Sequence, residues 1–248
     1  MTIGIIDSGL GGYSIYHALH KAYPKAAFHF LADQKNAPYG NKTAEEIKSI
    51  AHKNIDWFKS KGIHEIVIAC NTMNAVALES LKIDFPEIKF YDVVYPTVKQ
   101  LESYHLSKIL VVGTRLTIQS DIYAKTIQTL LPHIHVTSIA LPDLVQKIEG
   151  LNSNEEITSY IQSNLSEHEL LNDGLILGCT HYPLAQASFE SLFKQKIIDS
   201  IQVMVDIFKD KNLEEGESCC FTTKDEMYAK HQVHQLFQIK EEFTKIEV

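Results

Sequence analysis

The sequence predicts an α/β protein of two pseudo-symmetric domains on mainly parallel sheets, with the functional site in the cleft between the domains. Three observations predict it. Short apolar runs alternate with segments of helical period along the chain. The runs are nearly continuous in Ile, Val and Leu, as strands covered on both faces require. The two halves also repeat one spacing between strand ends.

The runs are IGII (3–6), AFHFLA (27–32), EIVIAC (65–70), KFYDVV (89–94), KILVVG (108–113), HVTSIAL (135–141) and DGLILGC (173–179). Between the second and third, Ile47, Ile50, Ala51, Ile55 and Phe58 recur at helical spacing. Thr43 with Glu46 forms a capping box at that helix's start, and Gly62 marks its end. Ser153 with Glu156 opens a second helix in the same way. The first strand is expected to end at Asp7 and the third at Cys70, 63 positions on; in the second half Thr114 and Cys179 end strands 65 positions apart. The domains are expected to join near Tyr95-Pro96, where a proline punctuates the end of a strand. The last forty residues resume an α/β pattern around CCFTT and EMYAKHQVHQLF and are expected to return to the first domain. The division is therefore 1–95 plus about 206–248, and 96–205.

With 248 residues and 45% apolar side chains, the chain can bury a substantial core. A net charge of -8 without any basic run argues against nucleic acid or acidic lipid as partners. No basic segment followed by a long apolar stretch opens the chain, and no window approaches a membrane span, so the expected location is cytoplasmic. In that reducing compartment the four cysteines make no disulfide framework and must serve packing, metal binding or chemistry.

Cys70 in ACNT (69–72) and Cys179 in GCTH (178–181) follow apolar strands in matched settings. A lone cysteine at a strand end is by default a small buried hydrophobe, but two in one pattern, each trailed by polar residues, point to chemistry. Ligands of parallel α/β sheets sit beyond the carboxyl ends of the strands. Asn71-Thr72 and Thr180-His181 fall there, in turns that open helices, where free N–H groups favour an anion, so the expected ligand is small and acidic. Inverting a stereocentre by proton transfer needs a base on one face of the carbon and an acid on the other, and two facing domains with one thiol each supply that arrangement. A free thiol has a pKa of about 8.5, so neighbours must tune it. Asp7, His181 and Glu149 are the candidates. Gly9, Gly11 and Gly12 do not fit a dinucleotide fingerprint, and no G-K-[ST] follows. No metal-ligand spacing surrounds either cysteine, so no metal is expected. Cys219 and Cys220 are adjacent, would point to opposite faces of a strand, and are read as structural.

IGIIDSGLGG (3–12), APYG (37–40), ACNT (69–72), GTRLT (113–117), IEG (148–150) and LGCTHYPL (177–184) resemble, in order, the motif series of the glutamate racemases, from the first strand to about Asp199-Ser200 and more weakly through CFTT. The resemblance implies a cofactor-independent racemase that supplies D-glutamate for peptidoglycan, commonly as a homodimer, with glutamate as its small-molecule partner. It implies Cys70 and Cys179 as the acid/base thiols, Asp7 assisting Cys70, and His181 with Glu149 assisting Cys179. Ser8, Tyr39, Gly40, Asn71, Thr72, Thr114, Thr117 and Thr180 would hold the amino acid. Two stretches depart from the family pattern: Gln34-Lys35-Asn36 stand where the family has Asp-Thr-Ala, and Met73 and Asn74 stand where it favours small residues. Both lie near the expected pocket, so aspartate or another acidic amino acid stays open as substrate, as does a non-catalytic amino-acid-binding protein.

Overall fold

All seven apolar runs become strands, and three further strands of three or four residues join them. The computed structural model describes residues 2–248. In chain order the elements are β1 (Ile3–Asp7), α1 (Tyr13–Ala22), β2 (Phe28–Ala32), α2 (Ala44–Ser60), β3 (Glu65–Ile68), α3 (Asn71–Asp84), β4 (Lys89–Asp92) and α4 (Val94–Lys99). There follow β5 (Lys108–Gly113), α5 (Arg115–Gln119), α6 (Ile122–Leu130), β6 (His135–Ala140), α7 (Leu144–Glu149), α8 (Asn154–Asn164), β7 (Gly174–Gly178), α9 (Gln186–Leu192) and β8 (Lys196–Ile198). The chain closes with α10 (Ile201–Ile207), β9 (Cys219–Thr222), α11 (Glu226–Phe237) and β10 (Phe243–Lys245).

One sheet has the order β10-β9-β2-β1-β3-β4 and the other β6-β5-β7-β8. Every pairing within them is parallel. The run β2-β1-β3-β4 has the same connectivity as β6-β5-β7-β8, which is the repeated plan in the sequence spacing. In each, the chain reverses its direction of winding at the central strand, between β1 and β3 and between β5 and β7. Such a switch point opens a crevice at the carboxyl ends of the strands. β9 and β10, from the last forty residues, extend the first sheet beyond β2.

The central strands of each sheet, β1 with β3 and β5 with β7, are buried on both faces, as their apolar runs demand. One apolar cluster is common to the two: it runs from Ile5 and Phe30 through Val94 and Val98 of α4 and Met204 of α10 to Ile109, Val111 and Ile176. Separate clusters cover the far faces. Within α2, Ile47, Ile55 and Phe58 are fully buried, and each contributes about 1.5–3 kcal/mol over an exposed side chain. Both capping boxes form, Thr43 with Glu46 and Ser153 with Glu156. No helix among the described residues is long and apolar enough to cross a membrane.

Three expectations are corrected. β3 stops at Ile68 and β7 at Gly178, so both cysteines stand in the turns beyond the strands, and Thr114 likewise lies just past β5. The fourth run ends at Asp92, because Val94 already opens α4. Pro96 lies inside the first turn of α4 rather than at a break, since a first-turn residue has no intrahelical N–H bond to lose.

Candidate active site

The four central strands end on one cavity. Ser8 and Gly9 reach it from β1, Cys70, Asn71 and Thr72 from β3, Thr114 from β5, and Cys179, Thr180 and His181 from β7. The turn after β2 adds Ala37, Pro38, Tyr39 and Gly40, and α7 adds Val145 and Glu149. The two thiols, 109 positions apart in sequence, therefore front one space from different sheets. Asp7 and Thr117, also expected at the site, stand directly behind its lining, at 0% and 1% exposure.

Cys70 is the N-cap residue of α3. Its thiol lies 3.7 Å from Ser8 Oγ, to which it donates. Burial, and then the carboxylate of Asp7, push the thiol up to about 12, against the Met73 N–H and Ser8. A charge on Cys179 pushes the Cys70 thiol the same way. Asn74 fixes the turn: its Nδ2 donates to Ile68 O at 2.6 Å and Cys70 O at 2.9 Å. Asp7 accepts from Gly9 N at 3.1 Å and, across to the other sheet, from Thr180 Oγ1 at 3.2 Å. Burial raises its carboxyl despite the charge of His181 and the N–H groups of Gly9 and Gly12.

On the other side, His181 Nε2 meets Glu149 Oε1 at 2.9 Å. Burial works against a charged imidazole, but hydrogen bonding to Cys179 and Glu149 outweighs it and holds His181 well above the usual histidine range. Burial likewise works against the Glu149 carboxylate, and the His181 hydrogen bond and charge, with Lys224, overcome it and lower that group. This couple is a carboxylate–imidazolium pair. Two glycines after β1 pack closely against site side chains: a Cβ on Gly11 would stand 2.4 Å from His181 Nδ1, and one on Gly12 2.5 Å from Asp7 Cβ.

Asn71, in the first turn of α3, is 2% exposed, and its Oδ1 accepts from Tyr123 Oη at 2.6 Å. That bond leaves Nδ2 buried with no protein partner, a donor ready for an acceptor in the cavity. The first N–H groups of α3 have no intrahelical acceptor either and add to the positive end of the helix. Thr72, Thr114 and Thr117 share a hydroxyl triangle, with Thr114 Oγ1 2.9 Å from each of the other two, which ties α3 to α5 across the sheets. Tyr39 lines the cavity. Its hydroxyl is spent on Asp33 at 2.6 Å, and burial, followed by Asp33, keeps the phenol protonated far above its ordinary value.

Sequence reasoning missed Val145, an apolar helix residue with nothing to set it apart, and the carboxylate behind Tyr39. Asp33 is fully buried and accepts from Tyr39, Asn36, Asn54 and Thr223, drawing the turn after β2, α2 and the end of β9 together. Asp33 precedes the stretch Gln34-Lys35-Asn36 that departs from the family pattern, and Asn36 is one of its donors.

The chain is also similar in sequence and in fold to known proteins. The family model described as Asp/Glu/hydantoin racemase matches residues 3–207. The chain is 36% identical over 208 residues to the glutamate racemase of Streptococcus gordonii, covering 80% of this chain and 76% of that protein. The crystal structure of glutamate racemase isoform RacE1 from Bacillus anthracis superposes with a TM-score of 0.92 at 27% identity, covering 100% of this chain and 97% of that one. The glutamate racemase of Francisella tularensis in complex with D-glutamate superposes with a TM-score of 0.91 at 26% identity, covering 99% and 97%.

Proposed function

The chain belongs to the Asp/Glu/hydantoin racemase family, and from that premise we propose that it interconverts L- and D-glutamate by proton transfer between Cys70 and Cys179. The observation that carries the proposal is that the two thiols line one cavity from different sheets. In this reading residues 1–95 with about 206–248 form one lobe and 96–205 the other, each bringing one thiol.

The two sides are electrostatically unequal. Burial and Asp7 keep the Cys70 sulfur neutral, so it stands as a proton donor. His181, held protonated against Glu149, gives the Cys179 side a positive charge. With the cationic side as base, the Cys179 sulfur takes the α-proton from the face of the carbon it fronts, and the electron pair left there is drawn into the adjacent carboxylate. The Cys70 thiol delivers its proton to the opposite face, and the product is the other enantiomer. The reverse reaction exchanges the roles, and proton exchange with water through His181 and Asp7 resets the sulfurs. Asn71 Nδ2 and the N–H groups opening α3 are placed to hold the carboxylate that gains charge, and donors fixed before the reaction cost no reorganisation when it occurs. The chemistry asks for no cofactor. The product D-glutamate fits a role in peptidoglycan synthesis.

The test is incorporation of solvent deuterium at the α-carbon of both enantiomers of glutamate and aspartate. Exchange of both glutamates is expected. Exchange of aspartate in their place would move the assignment to an aspartate racemase, since one methylene is worth only about 1–3 kcal/mol. Exchange of none would leave a binding protein.

A further inference from the structure

A protein of net charge -8 that takes an acidic ligand must offset its own repulsion along the approach. The cavity adjoins an outer one that shares five lining residues with it, Gly9, Val145 and Glu149 among them, and that adds Lys224, Tyr228 and Gln232. Among the residues lining the two spaces, Lys224 is the one lysine, and there is no arginine. It stands in the turn between β9 and α11, its N–H donating to Thr222 Oγ1 at 3.1 Å, so the backbone under it is anchored. Its ammonium lies 3.9 Å over the ring of Tyr228, a half-exposed aromatic on the first turn of α11. A ring holds a cation in place without cancelling its charge, as a carboxylate partner would.

We propose that Lys224 is the recruiting residue of the cleft: its ammonium, steadied by Tyr228 at the mouth, draws an acidic amino acid through the outer cavity toward the paired thiols. The proposal rests on the acidic-substrate reading above and supplies the path that reading lacks. Lys224 and Glu149 line the same outer space, and the charge of Lys224 adds to the lowering of that carboxyl. Beside Lys224, the carboxylate and imidazole side chains lining the two spaces are Glu149 and His181, and the other titratable groups there are the thiols Cys70 and Cys179 and the phenols Tyr39 and Tyr228. The couple that Glu149 and His181 form is close to neutral, which leaves Lys224 to set the sign at the mouth.

The test compares alkylation of Cys70 and Cys179 by iodoacetate and by neutral iodoacetamide, followed by peptide mass mapping. The two reagents are close in size and differ in charge, so the ratio of their rates reads the field along the path. In Lys224→Glu the ratio falls about three- to tenfold at low ionic strength, Lys224→Arg keeps it, and the gap closes in 1 M salt, where the screening length is about 3 Å. Parallel kinetics with glutamate show the loss in kcat/KM more than in kcat. A ratio at the reacting thiol unmoved in Lys224→Glu, or a gap that persists in high salt, would overturn the proposal. Failure of the parent protein to racemise glutamate would sink the functional reading alone, because the alkylation ratio does not depend on it.

Discussion

Replacing Gly11 by alanine is the sharpest perturbation of the site that leaves every polar group in place. The new Cβ would lie 2.4 Å from His181 Nδ1, 2.5 Å from Thr180 Oγ1 and 2.8 Å from His181 Cε1, where ordinary contact begins at 3.4 Å. Relief therefore demands a retreat of about 1 Å, shared between the loop after β1 and an imidazole that is only 3% exposed. The 2.9 Å bond from His181 to Glu149 and the 3.2 Å bond from Thr180 to Asp7 both lie along that retreat. A misplacement of this size costs on the order of 100-fold in rate, and the overpacking costs about 1–3 kcal/mol of stability. The assay is glutamate racemisation followed in both directions by circular dichroism, with a thermal melt of the same sample. Gly62→Ala is the control: at φ +73° with nothing within 4 Å of its Cβ, it strains the backbone by about 1–2 kcal/mol far from the site and leaves catalysis intact. A folded Gly11→Ala variant with kcat/KM within about twofold of the parent would refute the packing argument.

Further outcomes follow from the same contacts. Asn71→Ala removes the unpartnered donor and orphans the Tyr123 hydroxyl; D-glutamate binding by calorimetry is expected to weaken about tenfold or more, and unchanged affinity would contradict the carboxylate assignment. Glu149→Gln reads the ion pair through pH. The Glu149 carboxyl is depressed from 4.5 in the folded state, so its stabilisation is present above that value and is lost as pH falls through the folded pKa. The His181 pKa is raised above 6.5, so its stabilisation is complete below that value and is lost as pH rises through the folded pKa. The stability difference between parent and Glu149→Gln, measured by denaturant titration, should therefore be widest between pH 4.5 and 6.5 and narrow on both sides. A difference flat across the range would place the pair outside the balance.

The sequence carried the architecture because each strand is apolar enough to be read on its own, and because the repeat of about 64 positions reflects two sheets of one connectivity. Capping boxes at Thr43 and Ser153 were legible for a like reason, since both partners lie within one turn. Strand ends were less so: Ala69 and Cys70 continue the composition of β3, but the chain turns there because Asn74, further along, claims the carbonyls of Ile68 and Cys70. Pro96 misled because a proline that stops a strand and one that sits in a helix's first turn read alike. The contacts between distant parts of the chain were invisible. Asp7 meets Thr180 across 173 positions and Asp33 meets Thr223 across 190, and no local pattern encodes partners so distant. The family motifs carried the site because they mark strand ends, and strand ends are what the two sheets bring together. Val145 belongs to no such motif, and Lys224 lies in the weakly matching C-terminal stretch.

The central claim is that Cys70 and Cys179 serve opposite faces of one α-carbon. Its most direct measurement is enantiomer-resolved deuterium exchange with Cys70→Ser and Cys179→Ser, each first shown to be folded by circular dichroism. The account expects both variants to lose net racemisation while keeping residual α-exchange of opposite enantiomers, one for each surviving thiol. Full racemisation by either variant, or residual exchange of the same enantiomer by both, would contradict it.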